Sequence, residues 1–211
     1  MNVGVVYIFP NVNARTYFGL AQRFAATCLS HPAGYNHTLY LVHNGGPHPP
    51  SDLIPFQSIP HQTIVRSNVG WDIGAYQEVA ETIDCDLLVC LGAPVHFHKP
   101  GWLARMVEAY VDNGPGLYGC WGYLYPNWHI RTTAFWCPPQ LIQSYPYQIG
   151  STRQSRYEFE HGSRSLTRHA LSAGLETIMS TWTGNYPFRE WPNHVPGVED
   201  SLVLDQHTFR R

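Results

Sequence analysis

The chain has 211 residues, 44% of them hydrophobic, which is enough for one sizeable core and too little for two comfortable domains. Charged residues make up only 13% and the formal net charge is −2. With no basic run, nucleic acid is excluded as a main partner, because phosphate-backbone binding needs clustered Lys and Arg. No apolar run reaches the length of a membrane span. The apolar stretch from Met1 to Phe9 lacks a basic n-region and a small-residue cleavage site, so it reads as a first core strand and not as a signal peptide. Cys28, Cys85, Cys90, Cys120 and Cys137 are odd in number and contain no C-x-x-C pair. That argues against a disulfide framework or a zinc knuckle and for a reducing, cytoplasmic setting. Seven Trp and thirteen Tyr on a charge-poor chain suit hydroxyl-bearing ligands such as sugars, since rings stack on C–H faces while amides and imidazoles reach hydroxyls. A large aromatic core would account for the same composition.

Val3 to Phe9 is a continuous β-branched run ended by Pro10, the pattern of a buried parallel strand. Ala14 to Ser30 has helical spacing, with Tyr17, Leu20, Ala21, Phe24 and Cys28 on one face. Thr38 to Val42 is a second strand ending in the Asn44-Gly-Gly-Pro47 loop, so the three elements form a βαβ unit with a right-handed crossover. Pro47 to Pro60 is proline-rich and irregular. Gln62 to Arg66 is a short strand, Gly74 to Ile83 a helix, and Asp86 to Leu91 the most hydrophobic and hence central strand. Trp102 to Val111 is a helix, Leu117 to Tyr123 and Thr132 to Trp136 are strands, and Pro139 to Tyr145 is a short helix. Ser165 to Gly174 is a helix with a glycine stop, and Leu202 to Leu204 a last strand. Strands alternating with helices up to residue 120 predict a single-domain α/β fold, an open, mostly parallel sheet with helices on both faces. Ligands of such sheets bind beyond the carboxyl ends of the strands. That rule selects Pro10–Asn13, Asn44–Gly46, Asn68–Gly74 and Gly92–His98 as the mouth of one site.

The most informative stretch is Arg66-Ser-Asn-Val-Gly-Trp-Asp-Ile-Gly-Ala-Tyr76. Asn68 and Gly70 make a turn after a strand, and Asp72 stands just before the expected helix, where it can cap free N–H groups. It can equally accept from a base or ribose hydroxyl. Arg66, Asn68, Gly70, Asp72 and Gly74 resemble the R-x-N-x-G-x-D-x-G element of GT-A-fold glycosyltransferases, especially the rhamnan-synthesis and family-2-like groups. The opening strand with Asn11, Asn13 and Tyr17, the Thr38–Gly45 strand and turn, the segment from His129 to Trp136, and Phe159-Glu-His-Gly162 with Ser165-Leu-Thr167 and Gly174 are similar to further segments of those groups, in the same order.

The resemblance implies a Rossmann-like GT-A domain over residues 1–211, with a nucleotide-sugar-binding half at 1–120 and an acceptor-side half at 121–211. It implies transfer of a sugar from a nucleotide-sugar donor to a hydroxyl of a glycan or glycoconjugate acceptor, as in polysaccharide biosynthesis. Pro10, Asn11, Asn13, Asn44, Arg66, Asn68 and Asp72 would hold the donor. Glu160, on a loop beside Arg156 and Arg164, would deprotonate the acceptor hydroxyl, with Glu158 as a substitute. The structural alternative for Glu160 is a surface acid paired with those arginines.

The departure lies at the end of the central strand. Most GT-A enzymes carry D-x-D there, to hold a divalent cation on the diphosphate. Here the strand runs Cys90-Leu-Gly-Ala-Pro-Val-His-Phe-His98, without a carboxylate. Mn or Mg held by a D-x-D motif is therefore not supported, since hard cations want oxygen ligands. Leaving-group charge would fall to cationic or polar groups, for which His96, His98, Lys99, Arg131 and His129 are the candidates. Asp205 and His207 are late donor-site candidates. The pair His96/His98, with His129 or His161, could hold a transition metal, though such pairs are more often structural. The alternatives are a catalytically inactive GT-A-like module that senses a sugar or nucleotide and, third, a metal-dependent hydrolase, for which no H-x-H-x-D or H-E-x-x-H motif exists.

Overall fold

The computed structural model describes residues 1–12, 14–194 and 196–205. The order of elements is β1 (Val3–Pro10), α1 (Ala14–Ser30), β2 (Thr38–Asn44), a 3₁₀ turn (Pro50–Phe56), β3 (Gln62–Arg66), α2 (Trp71–Thr82), β4 (Leu87–Leu91), α3 (Trp102–Asn113), β5 (Gly116–Gly119), β6 (Gly122–Tyr123), β7 (His129–Ile130), β8 (Ala134–Cys137), α4 (Pro139–Gln143), α5 (Arg153–Glu160), α6 (Leu166–Ser172), β9 (Glu176–Ser180) and β10 (Asn185–Pro187). Eight strands form one sheet in the order β10-β9-β5-β8-β4-β1-β2-β3, and β6 pairs with β7 apart from it. β1, β2, β3 and β4 run parallel, as do β5 and β9, while β8 and β10 are antiparallel insertions. This is a mixed α/β single domain with a mostly parallel sheet, consistent with a Rossmann-like fold. No helix of the described residues is long and apolar enough to cross a membrane.

The period-2 alternation of β1 feeds two cores. Val5, Tyr7 and Phe9 pack with Phe24 of α1 and Trp102 and Met106 of α3. Val6 and Ile8 pack on the other face with Ile73, Tyr76 and Val79 of α2. Because both faces are covered, β1 is apolar throughout, and burying each such side chain contributes roughly 1.5–3 kcal/mol. Tyr7 stacks on Phe24 with centroids 3.7 Å apart. Its hydroxyl donates to the Ala93 carbonyl at 2.9 Å, so this core residue also holds the turn that follows β4.

Several expected boundaries move. The expected strand from Leu117 to Tyr123 splits, because its second half leaves the sheet to pair with β7. Leu202–Leu204 is not a strand: Ser201 and Leu204 each form a single bridge, to Thr181 and His96. Helix α2 begins at Trp71, not Gly74. Helix α5 was not foreseen; only Phe159 of it is buried, so it carries no apolar periodicity. Its one sequence signal is Thr152, whose side chain accepts from the Ser155 N–H.

Below the β1–β2 edge, His43 is buried against Phe9 and His48. Burial, with His48 and His61 nearby, lowers its pKa from 6.5 to about 4. The folded chain thus keeps His43 neutral where the unfolded chain protonates it. Stability is expected to be full above pH 6.5 and to fall as the pH drops toward about 4. Urea midpoints measured between pH 7 and 4 check this, and His43→Gln should flatten the decline; an equally steep decline in that variant would refute it.

Candidate functional site

The order β3-β2-β1-β4 means that the chain crosses from one side of β1 to the other, which creates a topological switch point between β1 and β4. A cavity of about 260 Å³ opens there, at the carboxyl ends of the strands. Pro10, Asn44, Asn68 and Asp72 line it, joined by Tyr17 of α1, Trp71, the Gly92–Pro94 turn, Thr133 and Arg156. Four expected donor residues, from the ends of β1 and β2 and from the β3–α2 connection into the first turn of α2, therefore meet. A larger groove of about 660 Å³ runs along the other flank of the Asn68–Gly74 loop, past Gln77, Glu78, Tyr145 and Tyr147. Its Gln77 side chain is committed to the backbone of Tyr147 and Ile149.

Arg66 does not line this cavity but the larger groove beside it, and it braces Asn44, which does line the cavity. Its buried guanidinium donates to Asn44 Oδ1, to the Val69 carbonyl at 2.8 Å and to Glu78 Oε2 at 2.8 Å. One side chain thus orients Asn44, shapes the loop and anchors α2. The loop reverses tightly through Gly70, at φ 74°, and Trp71, at φ 52°. A left-handed Trp is unfavourable by roughly 1–3 kcal/mol, and such residues cluster at functional sites; this one lines the cavity. Gly74 is required because a Cβ there would collide with the Val69 carbonyl oxygen.

With α2 starting at Trp71, Asp72 lies in the first helical turn and is not its cap. Gly70 holds the cap position without a side-chain bond. Asp72 instead acts from within the first turn: its Oδ1 accepts from the free N–H of the adjacent Ile73, at 3.1 Å. Burial raises the Asp72 carboxyl above its ordinary value; Arg156 opposes the rise and Glu160 adds to it. Those two residues are one turn apart on α5, so the helix brings a cation and an acid to the cavity edge. Glu160 ends this helix and is not on a mobile loop. One of its oxygens accepts from the Thr132 N–H at 3.4 Å, and the other lies 3.7 Å from His161 Nδ1. Glu158 is turned to Ser163 and the Arg164 N–H.

Other expected site residues have structural work. Asn11 donates to the Pro47 carbonyl. Arg131 and Asp205 pair with each other at 3.1 Å, the carboxylate fully buried, and the guanidinium lies over Trp121. Arg131 is therefore not a free cation at the cavity; it is paired with a buried acid. His96 bridges to Leu204 through its backbone, His98 meets the Glu199 carbonyl and the edge of Trp182, and Lys99 donates to the same carbonyl. Neither histidine lines the cavity. Burial lowers the pKa of His96, His98 and His129 alike, so none is well suited to carry positive charge at neutral pH. Among the described residues, Arg156 is the cation that lines the cavity, where the sequence placed it only beside Glu160. Asn13 and His207 lie outside the described residues.

The end of β4 does not fit a divalent cation. The Gly92 carbonyl accepts from the Val95 N–H and the Ala93 carbonyl from Tyr7, and no carboxylate belongs to the turn. No protein-family model matches the chain, and no curated protein matches it. Among solved structures it is similar to HddC from Yersinia pseudotuberculosis, with 12% identity and a TM-score of 0.47 over 70% of this chain and 82% of that one. A likeness of that extent says nothing of a reaction.

Arg66→Lys keeps the charge but cannot reach three acceptors in one plane. Hydrogen bonds from a charged donor contribute roughly 1.5–3 kcal/mol each, so thermal denaturation should show a clear loss of stability. Gly74→Ala should act on the same loop through overpacking, by about 1–3 kcal/mol. A melting temperature unchanged in both variants would contradict the bracing role.

Proposed function

We propose that this chain is a glycosyltransferase that takes a sugar from a nucleotide-sugar donor to a hydroxyl of a carbohydrate acceptor. The observation that carries this reading is the convergence of Asn44, Asn68, Asp72 and Arg156 on one cavity at the switch point, where the sequence resemblance expects the donor. The cavity has the size of a nucleoside. In the proposal, Tyr17 and Trp71 meet the base, the amides of Asn44 and Asn68 and the Asp72 carboxylate meet base and ribose, and the phosphates extend toward Arg156. An exposed guanidinium offers planar, bidentate contacts to phosphate oxygens, and takes the part that a D-x-D cation has in related enzymes. Glu160, one turn further on, activates the acceptor hydroxyl.

Thermal shift with a panel of nucleosides, nucleoside diphosphates and nucleotide-sugars tests the donor site, since binding adds stability as RT ln(1 + [L]/Kd). At least one nucleoside diphosphate should raise the melting temperature of the wild type. Asp72→Ala should abolish the response while the protein stays folded, and Arg156→Ala should weaken diphosphates more than nucleosides. Because the Asp72 carboxyl titrates above its ordinary 3.8, nucleoside affinity should fall on acidification before that value is reached, and Asp72→Asn should remove this pH dependence. No shift with any nucleotide would sink the reading. Binding without turnover of any donor would leave a sugar- or nucleotide-sensing module, which the absence of carboxylates after β4 favours as the second reading.

A further inference from the structure

At the end of α5, outside the lining of the cavity, His129, Glu160 and His161 each offer one ligand atom, all within 4.8 Å of one another. These residues come from β7 and the end of α5, which are distant in sequence and are tied together by Asn127, whose side chain donates to the His161 carbonyl at 3.3 Å. We infer that the three form a binding site for a divalent transition-metal cation, of which Zn²⁺ is the natural occupant. Two imidazoles with one carboxylate are a borderline-soft set that suits such a cation and is a known arrangement for open, reactive zinc sites.

The surroundings support a ligand role. His129 Nδ1 lies 2.6 Å from the Asn127 carbonyl, so that nitrogen carries the proton and Nε2 presents its lone pair. Metal-binding histidines are held in this way by an outer carbonyl. Glu160 Oε1 is steadied by the Thr132 N–H, while Oε2 stands 3.7 Å from His161 Nδ1. Two ligands about 2.0–2.1 Å from a tetrahedral cation are roughly 3.4 Å apart, so a few tenths of an ångström closes that pair. Positive charge from Arg131 does not oppose a cation strongly, because it is offset by Asp205.

The inference rests on the proposed transferase reading only for its consequence. A hydroxyl oxygen bound to the cation's open position ionises near neutral pH, releasing its proton to solvent, so Glu160 would activate the acceptor as a metal ligand. The site itself is tested without turnover. The metal-free full chain is titrated with Zn²⁺ by calorimetry, and with Co²⁺ by visible absorption, whose intensity reports the ligand field. One equivalent should bind. His161→Ala and Glu160→Gln should each weaken it by at least about 100-fold, more than the 10–100-fold typical of outer-shell changes. His129→Gln completes the set, with circular dichroism to confirm folding, because that ring is buried. Absence of stoichiometric binding in the wild type, or unchanged affinity in His161→Ala and Glu160→Gln, overturns the site. Nucleoside titration in chelator reads the donor cavity separately: nucleoside binding without metal binding defeats this inference alone, and metal binding without nucleoside binding defeats the transferase reading while leaving the metal site standing.

Discussion

The three-way grip of Arg66 underlies the geometry at the head of the sheet. β3 is an edge strand with much of its surface exposed; its backbone pairs with β2 and the Arg66 carbonyl accepts from the Gly45 and Gly46 N–H groups, while the Arg66 side chain ties its carboxyl end to the loop that follows. The guanidinium bonds to the end of β2 through Asn44, to the loop through Val69 and to α2 through Glu78. Its own burial is affordable only because its N–H groups meet acceptors, one of them ionised. The wall of the cavity, the tight reversal at Gly70 and Trp71, and the position of Asp72 all follow from that grip.

Charge is sparse in this chain, and the structure divides it between bracing and open roles. Arg131 and Asp205 neutralise each other where a lone buried carboxylate would be strongly destabilising. His43, His96 and His129 are driven toward the neutral state by burial. Among the described residues, those lining the cavity include one carboxylate on α2 and one cation on α5, with an acid one turn beyond on the same helix. A site with few charges, in a partly enclosed space, lets each act at low effective dielectric, where electrostatic terms are larger than in water.

The continuous apolar runs of β1 and β4, bounded by chain breakers, made the parallel core legible, because strands buried on both faces are apolar throughout. The switch-point rule then pointed to one end of the sheet from chain order alone, and Pro10, Asn44, Asn68 and Asp72 do line one cavity there. Helix α5 was illegible for the opposite reason: it buries one side chain, so it writes no period into the sequence. Missing it put Glu160 on a loop and left Arg156 without a role.

What the sequence determined by itself was the parallel strands β1 to β4, the helices between them and the end of the sheet at which ligands would meet, whereas β7, β9 and β10 were not legible in it. These depend on local hydrophobic period and on chirality, which act over a few residues. Only the tertiary structure decided how the polar residues were spent. Arg66 and Arg131 are both arginines after or between strands, and nothing nearby in sequence says that one braces a loop and the other neutralises Asp205, seventy-four positions later in the numbering. The same holds for His129 and His161, which become neighbours only when β7 packs beside the end of α5. Pairing of polar groups is set by long-range packing, and the physical reason is that a charge or imidazole takes whichever partner the fold brings within about 4 Å.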